Sequence, residues 1–273
     1  MRLKLWLCAL IATFCVAPGV HAQQGRYPVK SVRLIIPFPP GGSTDIVGRV
    51  VAQKLSEAWG QQVIVDNRGG AGGQIGVELA QKSPADGYTL VVGHIGTFGV
   101  NPSLYPKLRY DAQKDFQPIS LVARVHNMLA VHPSLPARSV KDVIALARSK
   151  PGVLNYGSSG SGSNPFLSVE FFKLLTKTDI THVPDLPTIG ETVPGYEVVQ
   201  WYGVLAPAGV PREIVNRVNA DIVAFLEKPD TAQKMAGEGA IPSGSTPEQF
   251  GELIRSEIVR WAKVVQATGA KPE

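Results

Sequence analysis

The sequence predicts an α/β fold, a largely parallel sheet covered by helices, and three observations predict it. Short apolar runs bounded by glycine or proline alternate with stretches whose apolar residues recur at helical spacing. The connections between them are short, as in repeated βα units. Apolar residues make up 44% of the 273, enough for a sizeable core and too many for a disordered chain.

In order, Val32–Phe38 reads as a buried strand closed by Pro39-Pro40-Gly41-Gly42. Residues 46, 47, 50, 51, 55 and 59 then form the apolar stripe of an amphipathic helix. Val63–Val65 is the next strand, followed by the glycine loop Gly69–Gly73 and a helix over Ile75–Lys82. Thr89–Val92 is a third strand. Phe116 to Val131 is extended and apolar and is expected to cross from one lobe to another. Ser139-Val140-Lys141-Asp142 has capping-box spacing and opens a helix through Arg148. Strand Leu154–Tyr156, loop Gly157–Ser163, a helix from about Pro165 to Leu175 and strand Ile180–Val183 follow. Pro184–Gly195 shows no periodicity, and Val198–Leu205 reads as a return strand. Two helices close the chain, one striped at 214, 218, 222 and 225, the other opened by the capping box Thr246-Pro247-Glu248-Gln249.

The first residues are not expected to join this fold. Arg2 and Lys4 precede an apolar run from Leu5 to Val16, and Val20-His21-Ala22 offers small residues at −3 and −1. That run is shorter than the roughly 20 residues a spanning helix needs, so residues 1–22 read as a signal peptide cleaved after Ala22, giving an exported, periplasmic chain. Cleavage would remove both cysteines, Cys8 and Cys15, and lower the formal net charge of +5 by two. The remaining charge is too mild, and too unclustered, to argue for nucleic acid.

Three glycine- and serine-rich loops, Pro39–Asp45, Gly69–Gly73 and Gly157–Ser163, each lie between a strand and a helix. In an open α/β sheet that is where ligands sit. A helix start there offers unpaired N–H groups and the positive end of its dipole, and glycine lets the backbone approach closely. Such loops suit a carboxylate or phosphate without any basic side chain, although any one of them could be only a tight turn. Asp45, at the start of the first helix, reads as a structural carboxylate that bonds exposed N–H groups.

Other chemistry is poorly supported. The spacing of Gly70, Gly72 and Gly76 is one residue off a dinucleotide fingerprint and follows the wrong strand. Around Ser159 the second glycine of a nucleophile elbow is replaced by Ser161. His94, His126, His132 and His182 have no metal-ligand spacing and read as structural; Asp66, Asp86 and Asp111 read as turn formers. No metal, cofactor or catalytic constellation is expected. The rival class is an exported α/β enzyme acting on a carboxylated or nucleotide substrate.

Pro37-Phe38-Pro39-Pro40-Gly41-Gly42-Ser43-Thr44-Asp45 closely resembles the first-loop signature of Bug-type solute receptors, the binding proteins of tripartite tricarboxylate transporters. VIVDNRGGAGGQIG (63–76), ADGYTLVVG (85–93), NPSLYPKLRYDAQKDFQPISLVA (101–123), NYGSSGSGS (155–163) and WYGVLAPAGVP (201–211) are also similar, in order along nearly the whole chain. The resemblance implies a non-enzymatic, two-lobed fold of the type II periplasmic-binding-protein kind that closes on a small carboxylate for membrane permease subunits. It implies ligand positions at Pro40, Gly41, Gly42, Ser43 and Thr44, at Thr97, and at Ser158, Ser159, Gly160, Gly162 and Ser163. The expected layout is a first lobe over 23–124, a second over 125–204, and 205–273 returning to the first.

One departure stands out. Where the family continues through further strands and helices, His182-Val183-Pro184 runs straight into Asp185-Leu186-Pro187-Thr188. The absent stretch is worth roughly one to two βαβ units of about 30 residues. The second lobe is therefore expected to be incomplete, with weakened closure, and a binding-defective paralogue is a further alternative.

Overall fold

The computed structural model describes residues 27–126, 129, 131–154, 156, 164–178, 199–237 and 239–268. The expected signal peptide, Gly157–Ser163, the expected strand over 180–183, the junction at 184–185 and Pro184–Gly195 lie outside the described residues.

Strands β1 (Val32–Ile36), β2 (Val63–Asn67), β3 (Thr89–His94), β4 (Phe116–His126), β5 (Val199–Pro207) and β6 (Ala240–Pro242) form one sheet in the order β2-β1-β3-β5-β4-β6. Helix α1 (Ser43–Trp59) joins β1 to β2, and α2 (Gln74–Gln81) joins β2 to β3. The β1–β2 and β1–β3 pairs are parallel, as βα units require. The other half is a correction to the parallel expectation: β5 runs antiparallel to both β3 and β4. The reason is topological. The chain leaves the sheet at His126 and returns at Val199, and these two residues are register partners, so the excursion begins and ends at one edge and its flanking strands must run opposite ways. That edge is also where β1 and β3 end. Residues 125–126 and 199–204, grouped with the second lobe by the sequence reading, are thus part of this sheet.

The alternation of strand side chains builds two cores. Leu34, Ile36, Leu90, Val92 and Val204 pack under α1 and α6 (Arg212–Leu226). Ile35, Val91, Leu205 and Trp201 face α2 and α8 (Pro247–Thr268). The α1 stripe buries Val47, Val50, Val51 and Leu55 as its spacing predicts, and the helix ends at Gly60, whose φ of 63° lets its N–H reach Ser56 O at 3.0 Å. At α8 both capping-box bonds form, Gln249 N–H to Thr246 Oγ1 at 3.2 Å and Thr246 N–H to Gln249 Oε1 at 3.0 Å.

Between β3 and β4 lie a π-helical turn, Ile95–Val100, and the short α3 (Asn101–Leu104), neither expected from the pattern. Between α6 and α8 the sequence reading also missed α7 (Pro229–Gly237) and β6. Of the second lobe, the described residues include α4 (Val140–Ser149), with Ser139 accepting the Asp142 N–H, and α5 (Asn164–Thr176). Leu154 and Tyr156 take no strand pairing here. Val131, Ala137, Val140, Val143, Ala147 and Phe172 form a small separate core. Helix α5 leans on α8, Phe171 meeting Trp261 edge-on at 6.1 Å. Among the described residues no helix is long and apolar enough to cross a membrane.

Candidate functional site

The first loop is built around Asp45, a carboxylate only 3% exposed at the first turn of α1. Its Oδ2 accepts from the Gly41 N–H at 2.9 Å and from Arg49 Nε at 2.9 Å. Its Oδ1 accepts from Asn67 Nδ2 at 2.9 Å, and the same amide nitrogen donates to Phe38 O at 3.0 Å. Burial pushes the Asp45 pKa up, but the bonds from Arg49, Gly41 and Asn67 and the Arg49 charge outweigh it, and the carboxyl lies below its ordinary range. This agrees with the structural role read from the sequence. The Gly41 amide is therefore engaged internally, at a φ of 88° that favours glycine.

Gly42 stands immediately before α1 with extended backbone and offers no side chain to cap it. The first-turn amides, Ser43 and Thr44 among them, face the carboxyl edge of the sheet with the helix dipole behind them. Pro40, Gly41, Gly42 and Ser43 are exposed, whereas Thr44 is 7% exposed.

The second loop supports the first. Gly70, Ala71, Gly72 and Gly73 all have positive φ. A Cβ on Gly73 would lie 2.7 Å from Thr97 Cγ2 and 3.1 Å from Phe38 Cζ, and one on Gly69 would lie 3.0 Å from Pro39 Cδ. These glycines allow the three turns after β1, β2 and β3 to touch, which is a packing role. A Cβ on Gly76 would meet the backbone of Arg68 and Pro37 at 2.7 Å, so this glycine also serves close packing of α2 on the first turn.

The third turn is organised by His94, the last residue of β3. Its Nδ1 accepts from the Gly96 N–H at 2.7 Å, so the neutral ring carries its proton on Nε2. Burial lowers its pKa to about 3. The ring lies 4.5 Å from Phe38 and 6.2 Å from Tyr202. Thr97 is fully buried; its hydroxyl donates to His94 O at 3.1 Å and accepts from the His94 N–H at 3.2 Å. Thr97 thus forms the floor beside the loops, with its hydroxyl already occupied.

Sequence reasoning missed Asn67, Tyr202 and Gln200. Tyr202 pairs with His94 across β3 and β5, and the side chains of Ser43, Gln200 and Thr44 lie close to its hydroxyl. Burial raises the Tyr202 pKa, and those three contacts work against the rise. Asn67 ends β2, beside the loop the sequence had singled out; Gln200 and Tyr202 share one face of β5 by period-2 alternation. Asp66 is a correction. It lies within β2, accepting from Arg33 and Arg68, and is no turn former. No group of three or more His, Cys, Asp or Glu able to hold a metal occurs among the described residues.

Uncapped helix-start amides at the carboxyl edge, without an arginine or lysine in the loop, are the geometry of an anion receptor. The description "Tripartite tricarboxylate transporter family receptor" matches residues 47–185 and 174–270. The chain belongs to this family. The receptor is 32% identical to protein BugT of Bordetella pertussis over 319 residues, covering 97% of this chain and 98% of BugT. It is 31% identical over 308 residues to a protein from the tcbD-tcbE intergenic region of a Pseudomonas strain, covering 93% of this chain and 91% of that one. Among solved structures, a protein of R. palustris, Rpa4515, holds adipate; it superposes with a TM-score of 0.83 at 36% identity, over 90% of this chain and all of the other. MatC of Rhodopseudomonas palustris holds malate and superposes with a TM-score of 0.78 at 28% identity, over 88% of this chain and all of MatC. The two-lobed fold is thereby shown, and the receptor is a binding protein, so the exported enzyme is set aside. Receptors of this family are periplasmic. The BugT alignment is longer than the 273 residues of this chain, so parts of it have no counterpart here.

Proposed function

We propose that this receptor captures a small carboxylated organic anion at the carboxyl ends of β1 and β3 and delivers it to the permease subunits of a tripartite tricarboxylate-type transporter. A solute carboxylate lies on the backbone around Pro40, Gly41, Gly42, Ser43 and Thr44, over the floor made by Thr97. Ser158, Ser159, Gly160, Gly162 and Ser163 approach it from the second lobe, and the solute favours the closed form by bridging the two. The leader is removed after Ala22.

One observation carries this reading. Asp45 takes the Gly41 amide and is itself held by Asn67 and Arg49, which fixes the loop while leaving the uncapped start of α1 open to an anion. The relatives solved with adipate and malate support the solute class.

A weak binder is the second reading, favoured by the two family matches that meet at residues 174–185, around the junction read from the sequence. A thermal-shift screen with mono-, di- and tricarboxylates tests both. Stabilisation by one chemical class of carboxylate is expected; no response to any carboxylate would reject the proposed function.

A further inference from the structure

Gln200 is 4% exposed, and its Oε1 has no hydrogen-bond partner among the described residues. A buried amide oxygen without a donor is costly, and where one persists beside a binding crevice it points to a missing partner. Its location is specific. Tyr202 is the register partner of His94, where β3 ends. Because β5 runs antiparallel, Gln200 lies two residues beyond that point, past the carboxyl edge of β1 and β3 and on the same face as Tyr202. Its side chain lies near the Tyr202 hydroxyl, as do those of Ser43 and Thr44.

The other buried side-chain atoms without a partner among the described residues lie elsewhere. Asn101, whose Oδ1 is one of them, is bonded through Nδ2 to Gly72 O and the Tyr110 hydroxyl behind the second loop. Trp201, whose Nε1 is another, packs on Phe250 on the opposite face of the sheet. Thr231 belongs to α7. Gln200 alone among them lies past the carboxyl ends of β1 and β3, on the face that Tyr202 shares.

We infer that Gln200 is a specificity-determining residue whose Oε1 accepts a hydrogen bond from the solute, so that the preferred carboxylate carries a hydroxyl beside a carboxyl group. This rests on the proposed function and narrows its substrate class from carboxylates to hydroxycarboxylates. Carboxylate oxygens ionised at neutral pH cannot donate to an amide oxygen, so a plain dicarboxylate would leave Gln200 unpaired. A site built to bond a hydroxyl discriminates strongly against the analogue lacking it.

The test is calorimetric titration of the whole mature protein with matched pairs of dicarboxylates of four, five and six carbons, each with and without a 2-hydroxyl. In the best-bound chain length the hydroxy acid is expected to bind at least about tenfold more tightly. Gln200→Met, which keeps the length and removes the acceptor, is expected to bring that ratio close to one, and its circular dichroism and unfolding midpoint report whether it folds. Equal affinities within the wild-type pair overturn the inference whatever the variant does, and leave the proposed function standing. A ratio preserved in a folded Gln200→Met also overturns it. Binding of no carboxylate at all would reject the proposed function, and the inference with it.

Discussion

Asn67 Nδ2, at the end of the second strand, donates to Asp45 Oδ1 at 2.9 Å, tying that strand to the first turn of the first helix. The other carboxylate oxygen takes Gly41 and Arg49, so Asp45 must accept on both sides. An amide in its place accepts on one side only and opposes a donor with a donor on the other. Asp45→Asn is expected to lower unfolding free energy by about 1–3 kcal/mol, measured by urea titration at pH 7, with weaker solute binding. An unchanged midpoint would mean the network contributes nothing.

The same site makes stability depend on pH in two windows. His94 has a folded-state pKa of about 3 because it is buried, against an ordinary value of about 6.5. The unfolded chain then holds more protons at this position, so stability falls as pH drops from about 6.5 toward 3, by up to about 1.4 kcal/mol per pH unit. Asp45 has a depressed pKa; its contribution is present above the ordinary carboxylate value of about 3.9 and is lost as pH falls through the folded value. Urea titrations at pH 7, 6 and 5 should show a flatter profile for His94→Gln than for wild type. Parallel profiles would count against a buried neutral imidazole.

Gly73 combines positive φ with a methyl-sized gap closed by Thr97 Cγ2 at 2.7 Å. Gly73→Ala therefore meets backbone strain and overpacking together, and a loss of about 2–4 kcal/mol is expected. Adding Thr97→Ser removes the opposing methyl and should recover part of the loss, leaving the backbone share. Full recovery would assign the cost to packing alone.

A second lobe shortened at the junction read from the sequence would bear on affinity. Its described residues include a core of Val131, Ala137, Val140, Val143, Ala147 and Phe172. Small-angle scattering with and without saturating solute separates the two readings: closure on the solute compacts the receptor, and a weakly closing lobe shows little compaction. A decrease in radius of gyration of several per cent on binding would contradict weakened closure.

What was legible in the sequence was local. The α1 stripe, the Thr246–Gln249 cap and the structural role of Asp45 depend on residues within a turn or two, and periodicity and capping chemistry report them directly. Contacts set by strand register were not legible. His94 meets Tyr202 only because β5 returns antiparallel beside β3, and βα alternation says nothing about a strand that comes back from an inserted lobe. Asn67 joins the site through a 22-residue separation. The π-helical turn Ile95–Val100 is buried on every side and so presents no amphipathic stripe. Thr97 was singled out as a ligand position, yet its hydroxyl is bonded to His94, an engagement only the turn geometry reveals.

The central claim is that the start of α1 holds a solute carboxylate through backbone amides, and calorimetry on Ser43→Pro tests it most directly. Ser43 is the first helical residue, where proline is tolerated, and Gly42 before it has the extended backbone (φ −83°, ψ 167°) that a following proline requires. The substitution deletes one amide donor and keeps the helix. Ser43→Ala, which deletes only the hydroxyl, is the control. The account predicts that Ser43→Pro loses about tenfold or more in carboxylate affinity with an unchanged unfolding midpoint, while Ser43→Ala stays within about threefold of wild type. Wild-type affinity in a stably folded Ser43→Pro would contradict it.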